Sequence, residues 1–167
     1  MKRLWAVLLL SIVSLSVAAE KIDGKNVWSE LPPFVLLDNA DNERNLSEWR
    51  GKVLMVNFFA TWCAPCRYEV PHLIKLQEEY GPQGLQIIGI GFDEGKKVKN
   101  YARSLEITYP VLVADPEQHP TLMKRWGNET GVIPYLFVVD QDGTVSMSQN
   151  GSFSERHFEW FVRPLLK

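Results

Sequence analysis

The sequence predicts an α/β domain in which a central mixed sheet is flanked by helices. Residues 51–59 and 83–92 contain nearly continuous apolar runs, which are typical of parallel strands covered on both faces. Between them, residues 65–80 repeat apolar side chains at helical spacing and carry charged side chains on the opposite face. Further along, an Asp-Gly turn separates two strand-like runs at 135–139 and 144–147, which indicates an antiparallel hairpin. A parallel unit joined to an antiparallel pair makes a mixed sheet.

The segment between the parallel unit and the hairpin predicts a central helical insertion. Apolar side chains recur at helical spacing over residues 98–105, which predicts a helix. Residues 111–113 follow as a short apolar strand, and residues 117–126 are predicted as a further helix. The charges after the second strand, among them Asp93 and Lys97, are interpreted as solvated loop and helix-start residues.

Both ends of the predicted sheet carry additional elements. Residues 34–37 and the segment around Leu46 predict a small lead-in hairpin. At the other end, apolar residues at helical spacing over 158–165 predict a closing helix. Ser152, with Glu155 three residues later, matches the pattern of a capping box at its start.

Length and composition indicate one soluble globular domain. The chain has 167 residues, of which 46% are hydrophobic and 23% are charged, and this is enough to bury a sizeable core. No linker longer than an ordinary loop divides residues 20–167, which are therefore taken as one domain. The net charge of −2 gives no reason to expect nucleic acid as a partner.

The first 19 residues are predicted to be an export signal. Lys2 and Arg3 precede an apolar stretch, and Val17-Ala18-Ala19 offers a small-residue cleavage site, which is the layout of a secretory signal peptide. The alternative is an uncleaved amino-terminal membrane anchor, although the stretch is short for spanning a bilayer. Either interpretation places the rest of the chain in the periplasm or otherwise outside the cytoplasm.

The two cysteines of the chain, Cys63 and Cys66, lie where the first apolar strand gives way to a helix. A disulfide between them closes a very small loop and removes little entropy from the unfolded chain, so a purely stabilising role is a poor explanation. Disulfide exchange requires a thiolate, which the free N–H groups at a helix N-terminus favour. We therefore expect Cys63 to be the exposed nucleophile and Cys66 the more buried resolving thiol.

The cysteine pair has three alternative roles, each of which fits the sequence less well. A structural zinc site usually needs four ligands, and the three histidines of the chain are scattered. Haem attachment needs a histidine directly after the second cysteine, where this sequence has Arg67. A passive structural disulfide remains the third alternative.

At these residues the sequence resembles the thioredoxin superfamily, and within it the exported TlpA-like and ResA-like group. The stretch from Val53 to Pro71, which includes Trp62-Cys63-Ala64-Pro65-Cys66, carries most of the match. The similarity in pattern extends from about Leu31 to the carboxyl terminus. The resemblance implies a thioredoxin-like fold.

The resemblance also implies roles for residues outside the cysteine pair. Pro134, preceded by Ile133, is similar to the cis-proline that lies beside the cysteines and docks the substrate. Trp62 resembles the tryptophan of the docking surface, with core packing as the alternative. Asn57 stands where thioredoxins have a buried aspartate. Glu69, three residues after Cys66 on the same helix, matches an active-site glutamate of ResA-like proteins, with a solvated surface charge as the alternative.

The implied activity is thiol–disulfide exchange with exported proteins, without a cofactor or metal ion. Relatives of this group generally act as reductases, including during cytochrome c maturation, so the resemblance implies a membrane-embedded electron donor as a partner. The chain is expected to be a monomer. Two rival functions on the same fold are a thiol peroxidase and a non-enzymatic copper chaperone, but their usual cysteine motifs differ from the pair in this sequence.

Overall fold

The computed structural model describes residues 22–31 and 33–167, and the predicted signal peptide lies outside these residues. Within this part of the chain, seven strands form one sheet, which four helices flank. The strands are β1 (Val35–Asp38), β2 (Glu43–Asn45), β3 (Val53–Phe59), β4 (Leu85–Gly91), β5 (Val111–Val113), β6 (Tyr135–Val139) and β7 (Val145–Asn150). The helices are α1 (Ala64–Tyr80), α2 (Gly95–Ser104), α3 (Leu122–Arg125) and α4 (Glu155–His157).

The sheet is mixed, as predicted, and its strand order is β2-β1-β5-β4-β3-β6-β7. Strands β3, β4 and β5 are parallel, while β6 pairs antiparallel with β3 and β7. The lead-in hairpin is also confirmed, because β1 and β2 pair antiparallel and β1 then joins β5. Strand β3 occupies an interior position, and it runs directly into the loop that carries the cysteines.

The core lies on both faces of the sheet, as the continuous apolar runs of β3 and β4 predict. Alternate residues of β3 point to opposite faces, so that Met55 belongs to the same core cluster as Leu73 of α1, while Val56 belongs with Trp126 to the cluster on the other side. Asn57 follows the alternation of Met55 and therefore faces the same side as α1. Its side chain is buried.

Two local predictions differ from the structure. The helix predicted over residues 117–126 is confined to Leu122–Arg125, because Pro120 lacks the N–H group that a helix interior needs and disfavours the helical conformation of the residue before it. The capping box at the start of α4 is formed by Ser154 and His157 rather than by Ser152 and Glu155. Helix α4 continues through a π-helical turn (Phe158–Val162) and a 3-10 turn (Arg163–Leu165) into the predicted closing helix.

Close packing of α2 on the sheet depends on a glycine in β4. A Cβ atom added to Gly91 would lie 2.5 Å from a methyl group of Val98 and 3.2 Å from the ring of Phe59. We expect Gly91→Ala to lower the free energy of unfolding by about 1–3 kcal/mol, the usual cost of overpacking a core. Urea denaturation measures this loss. Gly95→Ala is the matched control, since its Cβ would meet Val113 at an ordinary 3.5 Å, and equal loss of stability in both variants would contradict the prediction.

Candidate active site

The cysteine pair lies at the start of α1, directly after the carboxyl end of β3, as predicted. Cys63 is the N-cap residue of the helix, and its sulfur accepts a hydrogen bond of 3.2 Å from the backbone N–H of Cys66. The two residues form a disulfide with a Cα–Cα distance of 5.3 Å. No acidic residue lies in the first turn of α1, so the positive end of the helix faces the sulfur of Cys63 without a competing carboxylate from that turn.

The two cysteines are more enclosed than the sequence predicts. Cys63 is 4% exposed and Cys66 is 0% exposed, so the expected order of burial holds, but the prediction of an exposed Cys63 is wrong for this disulfide-bonded form. The reason is local, because the Cys63 sulfur is bonded to the Cys66 sulfur and also accepts the hydrogen bond from the backbone N–H of Cys66.

Glu69 lies one helical turn after Cys66 and is buried, although it is a carboxylic acid. It is 7% exposed, and its Oε1 accepts a hydrogen bond of 2.6 Å from the backbone N–H of Phe153, in the segment that precedes α4. Burial raises the pKa of Glu69 to about 7, and the hydrogen bonds from Phe153 and Ser152 offset only part of this effect. The alternative that Glu69 is a solvated surface charge is therefore excluded.

Ile133 and Pro134 lie beside the cysteine loop through the pairing of β3 with β6. Phe58 pairs with Tyr135 in antiparallel register, so the preceding Ile133–Pro134 peptide runs alongside the end of β3, where the cysteine loop begins. This peptide bond is cis, as the resemblance implied. Pro134 is buried and Ile133 is partly buried against the core.

Trp62 is 74% exposed, which excludes the core-packing interpretation of this side chain. It lies directly before Cys63, and the ring of Tyr68 on α1 is also exposed. A groove of about 540 Å³ between α1 and residues 152–155 is lined by Tyr68 and Glu69 and by Ala64 and Pro65, the two residues between the cysteines. The cysteine pair thus borders a surface that carries large, exposed aromatic side chains, which are well suited to protein contacts.

Sequence reasoning missed three features of this region. Asp93, interpreted as a solvated loop charge, is 8% exposed and accepts a hydrogen bond from the hydroxyl of Thr61. The backbone of Phe153 reaches Glu69 across 84 residues of chain. The hydroxyl of Tyr101 is buried without a hydrogen-bond partner in the described residues, and its ring lies under the guanidinium of Arg67 at 5.5 Å. The only sequence signal for Asp93 is its position two residues after a parallel strand.

The described residues contain neither a candidate metal site nor a candidate membrane span. Within residues 22–31 and 33–167, no cluster of three or more histidine, cysteine, aspartate or glutamate side chains is arranged to hold a metal ion. None of the helices in that part of the chain combines the length and the apolar character needed to cross a bilayer.

The fold and the redox pair together define a thiol–disulfide oxidoreductase of thioredoxin-like fold. Residues 27–148 match the AhpC/TSA family. The chain is 33% identical over 138 residues to the thiol-disulfide oxidoreductase ResA of Geobacillus kaustophilus, covering 80% of this chain and 76% of that protein. A second protein of the same name, from Geobacillus thermodenitrificans, is 30% identical over 93% of this chain and 88% of its own length. The chain therefore belongs to the AhpC/TSA family of the thioredoxin superfamily, together with the ResA thiol-disulfide oxidoreductases.

Solved structures agree with this assignment. A thiol:disulfide interchange protein of the thioredoxin family from Chlorobium tepidum is 31% identical, with a TM-score of 0.69 over 81% of this chain and 94% of that one. A secreted thiol-disulfide isomerase from Corynebacterium glutamicum, at 24% identity, has a TM-score of 0.70 over 81% of this chain and 84% of its own. The second likeness concerns the fold alone.

Proposed function

We propose that this oxidoreductase is exported and reduces disulfides in other exported proteins, with Cys63 as nucleophile and Cys66 as resolving thiol. The observation that carries the proposal is the disulfide at the N-terminus of α1, in which Cys63 is the cap residue and Cys66 is fully buried. Cys63 keeps a small exposed fraction of 4% and Cys66 has none, so we expect an incoming substrate disulfide to react with the sulfur of Cys63.

The reaction follows from this asymmetry. In the reduced enzyme, the Cys63 thiolate attacks one sulfur of the substrate disulfide, and the other substrate sulfur leaves as a thiolate that takes up a proton. Cys66 then loses its proton and attacks the Cys63 sulfur of the mixed disulfide. The second substrate thiol is released, and two electrons have passed to the substrate while Cys63 and Cys66 become a disulfide.

We propose that Glu69 accepts the proton that Cys66 loses in the second step. This carboxyl group lies one turn along the same helix and is shielded from water, and a pKa near 7 allows it both to accept and to return a proton at neutral pH. An exposed glutamate with an ordinary pKa would be almost fully ionised at this pH and would return a proton poorly.

The surface around the pair supplies the proposed substrate contacts. Trp62 is exposed directly before the nucleophile, and the Ile133–Pro134 peptide borders the cysteine loop on the β6 side. A substrate chain placed between them would pass over Cys63. We propose that these three residues bind the segment that carries the target disulfide.

Export and the electron supply complete the proposal. Residues 1–19 have the composition of a signal peptide or anchor, and the domain of residues 20–167 would then work in an oxidising compartment. A reductase there needs electrons from a membrane-embedded donor. We propose that a monomer of this chain receives them and passes them to protein disulfides, including those of cysteine pairs that later bind haem in c-type cytochromes.

The direction of the reaction is tested by the equilibrium potential of the cysteine pair against glutathione, together with reduction of insulin disulfides. We expect a potential below about −220 mV, at the reducing end of the range for thiol oxidoreductases, because the enzyme has to donate electrons. A value near −180 mV or above would contradict the reductive direction and indicate oxidase or isomerase work. Hydrogen peroxide consumption, measured in parallel, should be slow compared with insulin reduction, and the opposite result would favour the thiol peroxidase.

A further inference from the structure

Asp93 is a buried carboxylate that the mechanism does not use. It follows β4 and is 8% exposed, and both of its oxygens are occupied. Oδ2 accepts a hydrogen bond from the hydroxyl of Thr61, and Oδ1 accepts one of 2.8 Å from the backbone N–H of Glu94. Burying a carboxylate is costly unless it is hydrogen-bonded, so these bonds account for its position.

The bond between Thr61 and Asp93 ties together the carboxyl ends of two parallel strands. Phe59 and Gly91 are register partners at the ends of β3 and β4, and Thr61 and Asp93 each follow two residues later. The backbone bond from Phe92 N–H to Phe59 C=O, at 2.7 Å, extends the pairing by one step. The hydrogen bond between the side chains of Thr61 and Asp93 links the two chains one residue further on, directly before Trp62 and Cys63.

The loop that carries the nucleophile has few other attachments of this strength. The backbone N–H of Cys63 bonds back to Ala60 at 3.1 Å, and the side chain of Trp62 extends into solvent. Lys97 lies 3.8 Å from Asp93 Oδ1, but more than half of its side chain is exposed, so solvent weakens that ion pair. Once the disulfide between Cys63 and Cys66 is reduced, the charge-assisted bond from the Thr61 hydroxyl is therefore the strongest side-chain bond that ties the loop to the sheet.

We propose that Thr61 and Asp93 are positioning residues that hold Cys63 at the N-terminus of α1 in the geometry needed for attack. The inference rests on the proposed role of Cys63 as nucleophile. Loss of the anchor lets residues 60–63 move away from the helix end, which removes the helix N–H groups from the developing thiolate.

The test compares Thr61→Val, which has the same shape but no hydroxyl, with Thr61→Ser, which restores the donor. We expect Thr61→Val to lower kcat/KM for insulin reduction by about tenfold, the effect of losing one charge-assisted hydrogen bond, and Thr61→Ser to recover most of it. The pH profile of Cys63 alkylation by iodoacetamide should move to higher pH in Thr61→Val. Lys96→Gln is the matched control, because it removes an exposed charge at the start of α2, three residues after Asp93, and it should behave like the wild type.

Folding is monitored by thermal unfolding of each variant. If Thr61→Val does not fold, Asp93→Asn decides the question. The amide has one acceptor oxygen where the carboxylate has two, and it carries no charge, so its hydrogen bond with the Thr61 hydroxyl is neutral and should give an intermediate loss of about threefold with the same direction of pH shift. Wild-type rates and alkylation profiles in the folded variants would overturn the positioning role. Absence of any Cys63-dependent insulin reduction in the wild type would instead overturn the proposed function, so the two failures are distinguishable.

Discussion

Replacing Cys63 with serine should reduce the rate of insulin disulfide reduction to the uncatalysed background. A serine hydroxyl is not ionised at neutral pH and cannot form a disulfide with the substrate, so neither the first nor the second exchange step can occur. Cys66 cannot replace it, because it lies in the first turn of α1 and is fully buried, so a substrate disulfide cannot reach its sulfur. Turnover that survives in Cys63→Ser would refute the assignment of the nucleophile.

Cys66→Ser is the matched variant, because it keeps the attacking thiol and removes only the resolving thiol. We expect it to accumulate a mixed disulfide with a substrate peptide that contains one disulfide. Intact-mass spectrometry under non-reducing conditions should show the summed mass for Cys66→Ser and the unmodified mass for Cys63→Ser. A trapped adduct in Cys63→Ser instead would reverse the roles of the two cysteines.

The parts of the fold that local pattern determines could be predicted from the sequence. The strand cores of β3 and β4 follow from apolar runs, because a strand covered on both faces has no polar side to alternate with. The position of Cys63 follows for the same reason, since a strand that ends in Cys-X-X-Cys and continues with helical spacing places the first cysteine at the helix start. These features are determined by residues that are close to one another in the sequence.

The parts of the site that depend on distant contacts could not be predicted in this way. Helical spacing places Glu69 near Cys66, but its burial depends on residues 152–155, which pack against α1 from the other end of the chain. The prediction for Asp93 was wrong for a related reason, because its solvent exposure is decided by Thr61 after a neighbouring strand. The charge of a side chain is visible in the sequence, whereas the surroundings that shift its pKa are assembled by the tertiary fold.

Glu69→Gln should make the protein more stable above neutral pH and less active at the same time. The pKa of Glu69 is about 7 in the folded protein, compared with an ordinary value of 4.5, so the folded state favours the protonated carboxyl group. The free energy of unfolding of the wild type therefore falls as the pH rises from about 4.5 to 7. The penalty reaches about 3 kcal/mol above pH 7. A glutamine side chain carries no charge at any pH and can still accept the hydrogen bond from the backbone N–H of Phe153. The free energy of unfolding of Glu69→Gln should therefore exceed that of the wild type by up to this penalty at pH 8 and by little at pH 4.

The two effects are measured on different redox forms. Urea denaturation of the oxidised protein at pH 4, 6 and 8 gives the stability difference without interference from free thiols. Decay of the mixed disulfide in stopped-flow experiments gives the resolving step, which should slow by about a hundredfold because the carboxylate that accepts the Cys66 proton is gone. Glu78→Gln, an exposed position on the same helix, should change neither quantity appreciably.

A gain in stability combined with a slower resolving step in Glu69→Gln would distinguish a carboxyl group that acts in the reaction from one that only supports the fold. If Glu69 served only to hold the segment before α4 through Phe153, replacing it would cost stability, or leave it unchanged, at every pH and would not affect the resolving step. The loss of the resolving step in a variant that is more stable would therefore show that the carboxyl group acts in the chemistry and not in the fold. Equal stability curves for wild type and Glu69→Gln across this pH range would show that the carboxyl group titrates normally, and the proton transfer assigned to it would then have to pass to water.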